Sequence, residues 1–206
     1  EMDAIINGYS TVSDATAYAY MLGGHPMYQI NFPTAATSWL YDASTAMWSR
    51  LEYGLDAARH RGEMQLDFIN KTIIADYENG NIYTLDAETY TDNGVAIPRE
   101  IITKTVYAGT NKRIAVHRVS VDCQTGNGLV TGQGDNPQMM MQYSKDSGRT
   151  WSNEIWTSMG KIGEYLNKPC FNRLGMGRDR VFEVSMSANA KIAIQGAFIE
   201  AQIGTS

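Results

Sequence analysis

Cysteine is almost missing from the 206 residues: only Cys123 and Cys170 occur. Two thiols make no disulfide framework, and their spacing matches no zinc-ligand pattern. Both read as buried thiols, with a single disulfide as the alternative. Charge is also sparse, at 19% of residues against 43% apolar. That balance belongs to a globular chain and excludes a disordered one. The net charge of −5 argues against a protein that grips nucleic acid through its phosphates. It is compatible with one that lies beside DNA and repels it. No apolar run is long enough to cross a bilayer, and no signal peptide opens the chain. The start, Glu1-Met2-Asp3, runs straight into structured-looking sequence and reads as that of a fragment or a processed product. Helical periodicity is hard to find anywhere.

What is present is a succession of short β-branched and aromatic runs separated by Gly, Asn and Asp, the pattern of an all-β protein. The runs are 27–32, 38–41, 72–77, 82–85, 101–107, 114–121, 138–143, 180–186 and 192–201. Asn79-Gly80 predicts a tight hairpin, because both residues tolerate positive φ. A faint repeat aligns Ser38–Ala43 with Ile82–Ala87 and Gln29–Phe32 with Ile73–Asp76 at one common offset. A period of roughly 40–50 residues is that of propeller blades. The reading is therefore a partial β-propeller of about two blades over 1–108, followed by a β-sandwich-like domain over 109–206. A closed propeller needs about four to eight blades. The remainder is expected either upstream in a longer parent chain or from other copies.

The chemistry-bearing motifs are few. "SKDSGRTW", Ser144 to Trp151, fits the Asp-box pattern best known from sialidase propellers. In it Asp146 can accept backbone N–H groups across a turn, Gly148 can take positive φ, and Trp151 covers apolar area as the returning strand begins. The predicted role of Ser144, Asp146, Gly148 and Trp151 is a structural turn. A sialidase would also need an arginine clamp and a Tyr–Glu pair. Arg99, Arg113, Arg118, Arg149, Arg173, Arg178 and Arg180 supply arginines, but no spacing selects a pair of facing carboxylates. No catalytic, cofactor or metal residues are expected. His25, His60 and His117 are isolated in sequence, and a metal site joining them to Cys123 is the weaker reading. The Gly-rich stretch 124–137 lacks the Lys-Ser/Thr ending of a phosphate loop. "GMGRDR" at 175–180 precedes no helix and is no dinucleotide fingerprint. Met139-Met140-Met141 reads as strand residues alternating between core and a partner-facing side.

The segment from Met139 to Ala201 carries a more specific signal. It holds the Asp-box, then "GKIGEY" at 160–165, then "RLGMGRDRVFEV" at 173–184. With "HPMYQINFPTAATSWLYDASTAMW" at 25–48, these motifs resemble the packaged-DNA stabilisation proteins of short-tailed bacteriophages, the tail hub or nozzle family. The resemblance runs from about Asp14 onward. It implies a structural virion tail protein that docks below the portal and its adaptor ring, helps retain packaged DNA and forms part of the ejection channel. The implied partners are further copies of itself in a ring, expected to be a hexamer, together with the portal–adaptor ring, tail needle and tailspikes. DNA would pass through without specific binding, aided by a negative lumen. It implies no enzyme activity, no cofactor, no membrane, and a place in the virion tail after assembly in the host cytoplasm. Arg178, Asp179 and Arg180 become candidate interface residues that form an ion pair. The chain is shorter than the family's members, and Phe171-Asn172 departs from positions often basic or aromatic among them. The alternatives are a glycan-binding or sialidase-like propeller and a host-surface receptor binder.

Overall fold

The computed structural model describes residues 2–54, 56–109, 112–132 and 134–204. It divides into two compact units, Glu1–Val95 and Ala96–Ser206. The sequence reading placed the boundary at 108/109. The division falls earlier because the strand Arg99–Ile102 pairs into the second unit's sheet.

In the first unit a short helix, α1 (Met2–Ile6), precedes a meander of β1 (Thr16–Leu22), β2 (His25–Phe32), β3 (Thr37–Asp42), β4 (Met47–Tyr53) and β5 (Ala58–Arg59). These five form one antiparallel sheet in chain order. A second sheet follows from β6 (Gly62–Phe68), β7 (Lys71–Asp76) and β8 (Ile82–Leu85), then a ribbon of β9 (Thr91–Asp92) and β10 (Val95–Ala96). The repeat seen in the sequence maps strand onto strand: Ser38–Asp42 of one copy lie on β3 and Ile82–Leu85 of the other on β8, while Gln29–Phe32 lies on β2 and its counterpart on β7.

The predicted tight turn at Asn79-Gly80 is not what joins β7 to β8. Neither residue has positive φ. Instead Asp76 Oδ1 accepts the N–H groups of Glu78 (2.8 Å) and Asn79 (3.4 Å), and Asn79 Oδ1 accepts that of Asn81 (2.8 Å). Side chains that bind their own backbone wrap the chain into a wider loop. The two-residue geometry occurs at Gly23-Gly24 and Asn93-Gly94, where both residues have positive φ, as primed hairpin turns require. It also occurs at Ile69-Asn70, where a β-branched residue sits at φ +48.

The two sheets of this unit meet through polar groups rather than an apolar core. Gln29, Asn31 and Ser38 are fully buried. Ser38 Oγ donates to Asn31 Oδ1 (2.7 Å), as does Gln29 Nε2 (3.0 Å). Across to the second sheet, Asn31 Nδ2 donates to the Gly62 carbonyl (3.0 Å), as does the Tyr18 hydroxyl (3.3 Å). Arg59 pairs with Glu63 at 2.7 Å and stacks over the Tyr77 ring. Such a network specifies one docking of the sheets, because each group left unmatched would be costly.

The second unit is a sandwich. One sheet has the order β11-β17-β13-β14, from β11 (Arg99–Ile102), β13 (Gln138–Ser144), β14 (Ile155–Ser158) and β17 (Val181–Met186). The other is centred on β12 (Ile114–Cys123). One edge of β12 pairs with β15 (Cys170–Asn172) and β16 (Met176–Gly177), and the other with β18 (Ile194–Ile203). The core is filled by Ile114, Val116, Val119, Val121, Met139, Met141, Phe171, Leu174, Phe182, Val184 and Met186. Alternation along β13 and β17 explains this choice. Met139 and Met141 point inward while Met140 lies on the other side, and Phe182, Val184 and Met186 share the inner face. On β12 the alternation slips by one residue, because a bulge at His117 sets Val116 and Arg118 opposite consecutive residues of β18. Cys123 and Cys170 are both free thiols and only half-buried.

Candidate functional site

The Asp-box closes the corner after β13. Ser144 is fully buried. Its hydroxyl donates to Asp146 Oδ1 (2.6 Å) and accepts the N–H groups of Asp146 (3.2 Å) and Gly148 (2.9 Å). Asp146 Oδ1 also accepts from the backbone of Arg149 (3.0 Å) and Thr150 (2.8 Å), and Oδ2 accepts from the Thr150 hydroxyl (2.7 Å). These donors, Ser144 first and then Thr150, hold the Asp146 carboxyl well below the ordinary carboxylate range. Ser147 and Gly148 both have positive φ. Trp151 is half-buried but belongs to the connection; the returning strand starts at Ile155. Ser152 secures that connection to Tyr143 through its backbone N–H (3.0 Å) and its hydroxyl (3.1 Å). Every strong acceptor of the box is thus engaged with the turn itself, so Asp146 is poorly placed to do acid–base chemistry.

A parallel bridge joins Asp146 to Asp179, so the box and the Arg178–Arg180 segment form one corner. Arg178 and Asp179 are exposed. Arg180 departs from the interface expectation, for its side chain is fully buried. Its Nη2 donates to the Leu174 carbonyl (2.6 Å), and its guanidinium lies 4.7 Å from the Tyr143 ring centroid and 5.4 Å from that of Phe182. Gly177 makes the space: a Cβ there would sit 2.9 Å from Arg180 Cδ. The cation is held by two aromatic faces and a carbonyl, and burial draws its pKa down.

The histidines are less isolated than their sequence positions imply. His25 Nδ1 lies 2.9 Å from Asp42 Oδ2 and 2.7 Å from Ser44 Oγ, while Ser44 Oγ donates to Asp42 Oδ1 at 2.6 Å. Ser, His and Asp meet here, but not as an activated nucleophile. A triad sets carboxylate and hydroxyl on different ring nitrogens; here both converge on Nδ1. The cluster staples the β3–β4 turn to the start of β2. His60 is half-buried, and its Nδ1 accepts from the Gly62 N–H (3.1 Å), with Gln29 Nε2 at 3.1 Å. His117 stands at the bulge of β12. Among the described residues no group of three or more His, Cys, Asp or Glu is placed to hold a metal ion. Neither the His25 corner nor the His60 network was readable from spacing. The available signal was the run of polar residues Gln29, Asn31 and Ser38 at alternating, inward positions.

Comparison with known proteins gives the two units the same family. Residues 1–90 match the β-propeller domain of bacteriophage P22 Gp10, and residues 98–202 match the β-sandwich domain of bacteriophage P22 Gp10. No curated protein matches the chain. Two matches in this order, meeting where the fold itself divides, show that the chain belongs to the bacteriophage P22 Gp10 family of DNA-stabilisation, tail hub structural proteins.

Proposed function

We propose that the chain is a tail hub subunit that docks below the portal–adaptor ring, retains packaged DNA and lines part of the ejection channel. The observation that carries this reading is the tandem of propeller and sandwich domains, both of one phage structural family. The corner chemistry agrees with it. The Asp-box carboxylate and hydroxyls are spent on holding a turn, and the His25 corner has the wrong connectivity for attack. Ser144, Asp146, Gly148 and Trp151 then act as a scaffold that sets the β13–β14 connection. The exposed Arg178 and Asp179 lie beside it as docking residues. The partners on this reading are further copies in a ring, the portal–adaptor ring, the tail needle and the tailspikes, with assembly in the host cytoplasm. The net charge of −5 suits a conduit past which DNA slides.

The test is co-sedimentation with the cognate portal–adaptor assembly. Stoichiometric retention supports the docking role. A folded protein that stays in the supernatant refutes it, and hydrolysis of a fluorogenic sialoside would favour the sialidase-like alternative.

A further inference from the structure

Four asparagines of the chain are followed by glycine: Asn7, Asn79, Asn93 and Asn127. In such a pair the glycine nitrogen can attack the asparagine carboxamide, because no Cβ shields it and the chain turns easily there. The fold treats the four pairs differently. Gly8 N–H donates to the Ile5 carbonyl (3.0 Å) and Asn7 N–H to that of Asp3 (2.9 Å), so the end of α1 ties down the first pair. Asn93 and Gly94 both have positive φ. They form the primed turn between β9 and β10 and would have to leave it to react. Asn127 is half-buried and Gly128 buried. A Cβ at Gly128 would sit 2.5 Å from the Asp135 carbonyl oxygen, so a crowded tetrahedral adduct has no room there.

Asn79-Gly80 is the exception. Neither residue is held at positive φ. Among the described residues none accepts the Gly80 N–H, and a Cβ at Gly80 would meet nothing within 4 Å. The electrophile, by contrast, is held in place: Asn79 Oδ1 accepts the Asn81 N–H at 2.8 Å. Reaching two residues forward folds the carboxamide back over the Gly80 peptide. The same hydrogen bond polarises the carbonyl that would be attacked.

We propose that Asn79 is a modification site, one that deamidates spontaneously through its own loop. Hydroxide takes the Gly80 amide proton, and the nitrogen forms a bond to Asn79 Cγ. The Cγ–Nδ2 bond breaks, and the side-chain nitrogen leaves as ammonia after taking a proton from water, which restores the hydroxide. A succinimide remains. Water then adds to one of its carbonyls. Opening at Cγ gives aspartate; opening at the main-chain carbonyl gives isoaspartate, with the chain running through Cβ and Cγ. Nothing is oxidised or reduced. Either product adds a negative charge beside Asp76 and Glu78, which already share Arg61. Isoaspartate also lengthens the main chain within the loop that joins β7 to β8. The reactants are neighbours in that loop, so the step needs no partner and no other part of the fold.

The whole chain is incubated at neutral and at mildly alkaline pH, and samples are cut with a glutamate-specific protease. Cleavage after Glu78 and Glu88 separates Asn79 from Asn93. Tandem mass spectrometry follows the amide-to-acid change at each of the four asparagines, and electron-transfer fragmentation reads isoaspartate. Asn79 should convert first, about tenfold or more faster than Asn7, Asn93 and Asn127, since each of those must give up a hydrogen bond, a turn or its packing before it reacts. The rate should rise with pH. In urea the four rates should converge, because only the fold separates them. Gly80→Ala should slow Asn79 by about tenfold, as the added Cβ shields the nitrogen and stiffens the chain; far-UV circular dichroism checks that the variant is folded. The urea comparison needs no variant. Conversion that begins at Asn7, Asn93 or Asn127, or an Asn79 that stays intact in the folded chain, overturns the proposal. So does a folded Gly80→Ala chain that reacts at the wild-type rate. None of these outcomes depends on portal binding, so this inference and the docking role can fail separately.

Discussion

Acid should loosen the first unit through one histidine. His60 Nδ1 accepts the Gly62 N–H, and an N–H can only donate. That nitrogen therefore carries no proton in the folded protein, and the amide of Gln29 also faces it. Protonation would set a donor against donors in a partly buried place. Burial, and then the nearby Arg59, pull the His60 pKa from its ordinary value to about 4. The unfolded chain binds the proton near pH 6.5. Between these values the unfolded state holds more protons, so stability is fully present above the higher pKa and is lost as pH falls through the lower one. From about pH 7.5 to about pH 5 the loss works out at roughly 2 kcal/mol, and at about 3 kcal/mol once both states are protonated. Amide hydrogen exchange over 25–32 and 58–68 would report it, as faster exchange at about pH 5 after correction for intrinsic rates. The comparison that isolates the residue is His60→Gln, which removes the titration and keeps a polar side chain. Equal acid sensitivity in His60→Gln and wild type, or protection that does not change down to about pH 5, would refute the reasoning.

Further expectations concern backbone geometry and the Asp-box. A Cβ on Gly62 would lie 2.5 Å from the Tyr18 hydroxyl, so Gly62→Ala should cost about 1–3 kcal/mol in urea unfolding, and adding Tyr18→Phe should recover part of it. Ile69→Asn should raise stability by about 1 kcal/mol, because a β-branched residue at φ +48 is strained and asparagine tolerates that region. Asp146→Ala removes the acceptor for Ser144, Arg149 and Thr150; exchange should quicken over 144–152 while the first unit's protection stays as it was.

The sequence announced strands where hydrophobic contrast coincided with burial, and failed where it did not. The runs 138–143 and 180–186 stand almost residue for residue on β13 and β17, because their inward positions are apolar; the run 82–85 coincides with β8 although Ile82 is exposed. β1 escaped notice since alanines occupy its exposed positions and blur the alternation. β6 was obscured because Met64 and Leu66 face outward. The run 101–107 was read too long: the strand stops at Ile102, and Val106 makes only an isolated bridge to Arg180. At the corner, the motif itself gave the identities of Ser144, Asp146 and Gly148. It could not place Trp151 outside the strand, nor reveal that Arg180 is interior. A guanidinium between two strand charges looks like surface until Tyr143, Phe182 and the gap left by Gly177 are seen around it.

The bulge at His117 makes the length of β12 as informative as its composition. Before it, core side chains fall on even positions, Ile114 and Val116; after it they fall on odd ones, Val119 and Val121. His117 works as a spacer between two half-strands that read the core in opposite phase. Excising that one residue would leave every other side chain unchanged. Yet it would put the halves in a common phase and turn either Ile114 and Val116 or Val119 and Val121 toward water. The neighbouring chain is fitted to the same step, since Arg173 and Leu174 donate to the carbonyls of His117 and Val116. In this strand a polar, outward position is the one whose deletion does most harm, while its side chain, exposed to solvent, is free to vary.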